Sequence, residues 1–315
     1  MRILFAAILT FLAATLSAQT TTERQPKTAV DNERMNDNVI ARREYDTTAR
    51  AILSRKFREA LDRYQRGSTA ELIPTWGEFV AVDGKTFIAL QLALPSGLTV
   101  QSGDPLTLFG LLNDASGKTI ATYNEPLGVQ ASKDDLFVER SLIVPLQQSI
   151  GTFGVARRGE IVGMTRVEFD PENVTAAAAS VSRLIVSRDV HLLPEAQRPL
   201  DPFAFGGTKV IPKPGAAFHK TDEVWLFAEL RNPALAPDGT PHISTKVTVD
   251  GAASISGPPV PAEATPLKGM PGRYGVGNAI DISKLPAGDY TLQVVFTDLV
   301  AKQSFRRQAA IHILD

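Results

Sequence analysis

The chain has 315 residues, with 34 acidic against 33 basic side chains, a formal net charge of −1 at pH 7 and no cysteine. Nucleic acids and anionic membranes are bound by clustered Lys and Arg, and the balanced charge without a long basic run argues against either as the main partner. Without cysteines there is neither a disulfide nor a thiol nucleophile. Burial alone must stabilise the fold, and the length suffices for two ordinary cores.

The first 18 residues are typical of a secretory signal peptide. Arg2 is their only charge, an apolar run covers residues 3–12, and the small residues Ser17 and Ala18 close the segment. The apolar run is shorter than the roughly 20 residues that a membrane span needs, which argues against a retained anchor. We therefore predict cleavage after Ala18, a periplasmic or secreted protein, and no membrane span in the mature chain.

A polar, Thr-rich stretch at 19–35 is predicted to be a flexible leader. An amphipathic helix is predicted at 36–68, because Gly and Pro are absent from Asn36 to Arg66 and apolar residues recur at steps of three and four. Its apolar stripe comprises Ala49, Leu53, Phe57, Ala60, Leu61 and Tyr64. The stripe indicates packing on the following domain, while a partner-binding or self-associating helix remains the alternative.

From residue 72 the apolar pattern changes to a period of two. TFIALQLAL at 86–94 and LFVERSLIV at 136–144 are typical strands, and turn-forming runs such as DGK and ASGK separate the strands of this region. Gly159 is placed to supply the positive φ of a tight hairpin. Short strands with a period of two, separated by turns and without intervening helical patterns, predict a β-sandwich domain at 72–191 rather than alternating strands and helices.

Three prolines in LLPEAQRPLDP disfavour helix and central strand, so we predict a linker at 192–206 and a second β-sandwich domain at 207–315. In LPAGDYTLQVVFTD, Leu285 to Asp298, a turn leads into an alternating strand. The entry Gly-x-Tyr, with Tyr290, is typical of the tyrosine corner of immunoglobulin-like sandwiches. The predicted fold is mainly β, with two tandem immunoglobulin-like domains after an amphipathic helix.

The chain resembles the C-terminal β-rich region of secreted bacterial proteins that carry a GWxTD motif. The resemblance lies in TFIALQLALP, PLTLFGLLNDASGKTIAT, SRLIVS, DPFAFGGTKVIPKPGAAF and LPAGDYTLQVVFTD, which together span most of residues 80–300. The GWxTD motif itself is absent. The resemblance implies an extracytoplasmic pair of β-sandwiches and supplies neither an activity nor catalytic residues.

Motifs for catalysis, metal and phosphate binding are missing. The four histidines, His191, His219, His242 and His312, form neither H-x-H nor H-E-x-x-H, and no G-x-S-x-G or P-loop pattern occurs. We therefore predict no cofactor, no metal and no catalytic residue. Asp and Glu are plentiful, so paired carboxylates of a hydrolase remain open, because one sequence does not pair them in space.

The most distinctive segment runs from Asp201 to Phe218. Its aromatic residues Phe203, Phe205 and Phe218 lie among prolines and glycines. They are predicted either to hold the two domains together or to form a partner-docking loop.

The sequence favours a non-enzymatic secreted or periplasmic protein that mediates protein–protein interaction or scaffolding in the cell envelope. Its partner would be another envelope or extracellular protein, and its oligomeric state is open. The alternative is a secreted hydrolase or carbohydrate-binding module on the same scaffold.

Overall fold

A computed structural model divides the chain into two units, Met1–Arg50 and Ala51–Asp315. The structure describes residues of the second unit only, and the predicted signal peptide, the leader and residues 36–54 and 66–68 of the predicted helix lie outside them. The described ranges are 55–65, 70–80, 85–100, 105–132, 135–171, 178–193, 202–205, 207–267 and 270–315.

Residues 55–65 form a helix, α1, which packs on the sheets that follow it. Its Phe57 and Ala60 are buried against Phe109, Ala156 and Met164. The rings of Phe57 and Phe109 stack with their centroids 6.0 Å apart. In this part of the chain the apolar stripe therefore contacts the protein's own strands. No helix among the described residues is long and apolar enough to cross a bilayer.

The first eight strands form two antiparallel sheets. They are β1 (Ile73–Val80), β2 (Thr86–Ala93), β3 (Pro105–Asp114), β4 (Thr119–Gly128), β5 (Gln130–Ser132), β6 (Asp135–Val144), β7 (Ser149–Arg157) and β8 (Glu160–Phe169). The sheet orders are β1-β2-β6-β5 and β4-β3-β7-β8, and apolar side chains of both sheets form one core. We call this pair the first sandwich. Gly159, with φ 82°, lies in the β7–β8 turn as predicted.

Within the described ranges, thirteen further strands form the second sandwich. They are β9 (Ser180–Val181), β10 (Ile185–Leu192), β11 (Ala204–Phe205), β12 (Thr208–Pro212), β13 (Ala217–His219), β14 (Val224–Arg231), β15 (Ile243–Gly251), β16 (Ile255–Ser256), β17 (Val260–Ala262), β18 (Ala264–Pro266), β19 (Arg273–Ile280), β20 (Gly288–Asp298) and β21 (Gln303–Leu314). One sheet runs β11-β12-β10-β14-β19-β18, with β9 on β14, and the other β13-β21-β20-β15-β16, with β17 on β15. The prediction of a mainly β fold of packed sheets is confirmed.

The chain passes from the first sandwich to the second between β8 and β9. Strands β9 and β10 precede the predicted linker at 192–206, yet both belong to a sheet of the second sandwich. The strands on either side of the proline-rich stretch, β10 and β11, both pair with β12 in that sheet. Residues 194–201 of the predicted linker lie outside the described residues, and the strands on either side of them belong to one sheet.

The strand β20 has the alternation that its sequence predicts. Tyr290, Leu292, Val294 and Phe296 are all buried in the second core. The hydroxyl of Tyr290 donates a hydrogen bond of 2.9 Å to the carbonyl oxygen of Pro286, four residues earlier. This is the backbone contact expected of a tyrosine corner, and it ties the turn to the strand it precedes.

We expect Tyr290→Phe to lower the free energy of unfolding by about 1 kcal/mol, because the Pro286 carbonyl loses its hydroxyl donor while the ring stays buried. Urea denaturation measures the change. Tyr274→Phe is the matched control, since Tyr274 packs on the same core and its hydroxyl has no hydrogen bond within the described residues. Equal stabilities for the two variants would contradict the assignment.

Candidate functional site

A buried ion pair joins the two sandwiches. The ammonium of Lys209, on β12, donates to a carboxylate oxygen of Glu139, on β6, and the two side chains are 3% and 0% exposed. Nε2 of Gln91, on β2, donates to the other oxygen of Glu139 at 3.2 Å. Both oxygens of the buried carboxylate are thus hydrogen-bonded, as a charge removed from water requires.

A second ion cluster lies at the same interface between the two sandwiches, which we call the seam. The carboxylate of Asp135, on β6, lies 2.9 Å from Nη2 of Arg188 and 2.7 Å from Nζ of Lys213. Nη2 of Arg188 also donates to the carbonyl oxygen of Ser132 at 2.7 Å. In both clusters the first sandwich supplies the carboxylate and the second supplies the cations, so complementary charge aligns the sheets.

An aromatic cluster fills the rest of the seam. Phe79 of β1 packs against Phe205 of β11, with 5.3 Å between ring centroids, and Phe205 packs on Phe227 at 4.1 Å. Phe203 is fully buried in the same cluster. Of the three aromatics singled out in the sequence, Phe203 and Phe205 therefore lie between the sandwiches. Phe218 lies elsewhere, in the core of the second sandwich.

Three adjoining cavities form a furrow along β1 and β21. Their volumes are about 300, 250 and 360 Å³. Arg183 lines the first and second cavities, and Gly215 and Ala310 line the second and third. These shared residues make the cavities neighbours, and we call the three together the furrow.

Edge strands border the furrow. The strand β1 is the last strand of its sheet. The outer side of β21 pairs only with β13, and only at His312–Leu314, within the part of the chain that the structure describes. Residues 303–311 of β21 therefore present backbone donors and acceptors that no described strand pairs on that side.

The first cavity of the furrow is rich in arginine, and we call it the arginine cleft. The guanidinium of Arg183 lies 4.2 Å from the ring centroid of Trp76. A carboxylate oxygen of Glu78 accepts hydrogen bonds from the indole of Trp76 and the backbone N–H of Asp170, each 3.2 Å long. Burial raises the pKa of Glu78 above its ordinary value and lowers the pKa of Arg183.

Two more arginines of the cleft are held in place by their neighbours. Nε of Arg231 donates to Glu229 at 2.9 Å, and Arg273 binds the other oxygen of that buried carboxylate. Nε of Arg307, on β21, donates to the carbonyl oxygens of Val181 and Ser182 at 3.0 Å each. These hydrogen bonds hold the guanidinium groups of Arg231 and Arg307 in place.

The far cavity of the furrow carries the opposite charge. It is lined by Asp250, Asp289 and His312, and Nδ1 of His312 lies 2.7 Å from a carboxylate oxygen of Asp289. The furrow therefore has a cationic end at the arginine cleft and an acidic end beside β21. The described residues include no group of three or more His, Asp or Glu side chains that could hold a metal ion.

Sequence reasoning did not identify the furrow. Its lining comes from segments as far apart as Trp76, Arg183 and Arg307, and no short motif connects them. The one signal available was an arginine in SRLIVS that interrupts an apolar run. A charge at the start of a buried strand indicates a partner or a cavity, but it does not say which.

No protein-family profile matches the chain, and no curated protein sequence matches it. Among solved structures, a red sea bream transglutaminase is similar over 80% of this chain and 33% of its own, with 12% identity and a TM-score of 0.24. The BSP domain of a biofilm-associated protein is similar over 76% of this chain and 58% of its own, with 8% identity and a TM-score of 0.20. The chain spans about a third of the transglutaminase, and neither likeness carries an argument about function.

We expect Glu78→Gln to stabilise the protein more at neutral pH than at pH 4.5. Burial raises the pKa of this carboxyl above 4.5 in the folded state. In the pH range between 4.5 and the raised pKa, the Glu78 carboxyl therefore binds more protons in the folded protein than in the unfolded chain. The contribution of Glu78 to the wild-type free energy of unfolding therefore falls as the pH rises through this range, and the variant lacks this contribution. Urea unfolding of both proteins at the two pH values measures the difference. A stability difference that is constant, or larger at pH 4.5, would show that burial does not govern Glu78.

Proposed function

We propose that this chain is a non-enzymatic secreted or periplasmic protein that binds an extended segment of another envelope or extracellular protein in the furrow. In this proposal the sandwiches are two tandem immunoglobulin-like domains, preceded by an amphipathic helix, that act as one rigid receptor. The composition of residues 1–18 supports export. The resemblance to GWxTD-motif proteins stays a prediction and points to the same compartment.

The furrow between edge strands is the observation that carries the proposal. Extended peptides bind by adding a strand to an exposed sheet edge, where main-chain hydrogen bonds supply affinity and side-chain pockets supply specificity. The side of β21 that no described strand covers offers such an edge over residues 303–311. The three adjoining cavities supply the pockets.

The charged groups at the seam support binding rather than chemistry. Glu139, Lys209 and Asp135 are engaged in ion pairs between the sandwiches, and Glu229 is bound by two arginines. These pairs position backbone and side chains. A receptor needs this rigidity, because preorganised sites lose less entropy when the ligand binds.

A hydrolase is the second candidate, and one feature of the arginine cleft favours it. Glu78 has a raised pKa, as a general acid needs, and Asp170 lines the same cleft. A general acid donates its proton from one oxygen only, and both hydrogen bonds to Glu78, from Trp76 and from the backbone N–H of Asp170, go to Oε1, so Oε2 would be the oxygen that carries the proton. Turnover in a screen of glycan and ester substrates, lost in Glu78→Gln, would establish the hydrolase in place of the receptor.

The test of the receptor places a bulky charge in the furrow. Ala310 is exposed and lines two of its cavities, so Ala310→Arg should obstruct the peptide while leaving the core intact. Cross-linking in intact cells, followed by affinity purification, measures which envelope proteins are captured. We expect the variant to lose a protein that the wild type captures.

The matched control is Ala301→Arg, which makes the same change at an exposed alanine in the turn before β21, outside both the furrow lining and the unpaired edge at 303–311. It should capture the same protein as the wild type. Identical captures by wild type, Ala310→Arg and Ala301→Arg would contradict binding in the furrow.

A further inference from the structure

An amine, a carboxylate and an amide meet at the buried ion pair of the seam. Gln91 and Glu139 lie directly opposite each other on the paired strands β2 and β6, and both are buried. Lys209 reaches the same point from β12, with its side chain 3% exposed. The carboxylate of Glu139 bridges the other two groups, since one of its oxygens accepts from Lys209 and the other accepts from Nε2 of Gln91.

This arrangement is costly as long as the groups stay separate. Two charges are held out of water, and the ring centroid of the buried Phe203 lies 5.7 Å from Nζ of Lys209. Oε1 of Gln91 is also buried and has no hydrogen-bond partner within the described residues. A reaction that turns the amine and the amide into one neutral group and leaves a protonated carboxyl beside it removes the charges. It also places a new donor next to the amide.

We propose that Nζ of Lys209 bonds to Cδ of Gln91, so that the mature protein carries an amide cross-link between its two sandwiches. The ion pair is the state before this step. The N–C bond forms as the bond between Cδ and Nε2 of Gln91 breaks, and Nε2 leaves as ammonia. The ammonium of Lys209 loses two protons, of which one departs with the ammonia and the other stays on Glu139. Atoms and charge therefore balance among these three side chains.

Glu139 carries the protons of this step. Its two oxygens contact the nitrogen that gives protons up and the nitrogen that must receive one before it leaves. Holding reacting groups together replaces a collision in solution, and effective molarities of well-oriented pairs reach roughly 10⁵–10⁸ M. The step occurs once in each chain and consumes the chain's own side chains. It is therefore a maturation of the protein, which remains non-enzymatic towards other molecules.

The cross-link gives this chain the covalent tie that a disulfide gives other exported proteins. The chain has no cysteine, and Gln91 and Lys209 lie in different sandwiches and far apart in sequence. In the chain-entropy account, a bond between distant residues stabilises a fold by restricting the unfolded chain, and more so for a longer closed loop. Reducing agents do not cleave an amide. The sandwiches should therefore stay linked in a reduced and denatured sample.

Mass spectrometry of tryptic peptides from the purified, denatured chain tests the cross-link. Without the bond, trypsin releases residues 86–118, which contain Gln91, and residues 189–209, which end at Lys209. With the bond, Lys209 is acylated and trypsin does not cleave after it. We then expect residues 86–118 joined to residues 189–220, with the mass of one ammonia molecule missing. Fragmentation of the joined peptide should locate the bond at Gln91 and Lys209.

Two variants each remove one reacting group. Lys209→Arg keeps a cation beside Glu139 but has no amine, and Gln91→Met keeps the approximate size of the side chain but has no acyl carbon. Both should lose the joined peptide completely. Lys213→Arg is the matched control, because Lys213 also reaches across the seam to a carboxylate, at 2.7 Å from Asp135. It should keep the joined peptide.

Each result decides the proposal, and the wild-type digest decides it even if a variant does not fold. A joined peptide in the wild type and in Lys213→Arg, absent from Lys209→Arg and Gln91→Met, supports it. Unmodified peptides 86–118 and 189–209 in the wild type, with no joined form, overturn it. Residues 134–140 joined to 189–220 with one water molecule missing also overturn it, because Glu139 would then be the group that is acylated onto Lys209.

The cross-link goes beyond the proposed function and does not depend on it, because it lies at the seam and its test involves no partner protein. The variant Gln91→Met also separates the bond from the ion pair. It leaves Lys209 and Glu139 charged and unlinked, so the contribution of the pair itself to stability is measured in that variant.

Discussion

The contact between Lys209 and Glu139 constrains the rest of the molecule, because two charges removed from water must remain together. Removing one partner of such a pair leaves an uncompensated buried charge and is strongly destabilising. The pair bridges β12 and β6, and Gln91 completes the hydrogen bonding of the carboxylate. Movement of one sandwich relative to the other would therefore expose one of these charges to water or leave it buried without its partner. The pair thus fixes the positions of the other groups that lie between the sandwiches.

The furrow is a consequence of that geometry. It lies where the edge strand β1 of the first sandwich and the edge strand β21 of the second border the same cavities. Exposed sheet edges invite aggregation, and proteins usually blunt or cover them. The furrow has arginines at one end and carboxylates at the other, and under the proposed function this charge pattern would select a partner segment that is extended and charged.

Much of the fold could be predicted because the signals are local. The alternation at Tyr290, Leu292 and Val294 fixes which face of β20 is buried, and Gly159 identifies a turn by its backbone freedom. The boundary between the sandwiches could not be predicted in the same way. Prolines interrupt a connection within a sheet as readily as a linker between domains, so the sheet membership of β9 and β10 depends on pairing with distant strands.

The candidate site was less predictable than the fold, because its residues meet only through long-range packing. Phe203, Phe205 and Phe218 belong to one short segment, yet two lie at the seam and the third is in the core of the second sandwich. The arginine cleft likewise takes Arg183, Arg231 and Arg307 from three distant segments, and these side chains meet only in the folded chain.

The most direct test of the central claim follows urea unfolding of each sandwich separately, through Trp76 in β1 and Trp225 in β14. The account predicts coincident transitions in the wild type, a loss of about 3–5 kcal/mol at both reporters in Lys209→Met, and recovery of most of that loss when Glu139→Gln is added. Separate transitions in the wild type, or a Lys209→Met variant as stable as the wild type, would contradict the claim that this buried pair holds the two sandwiches together.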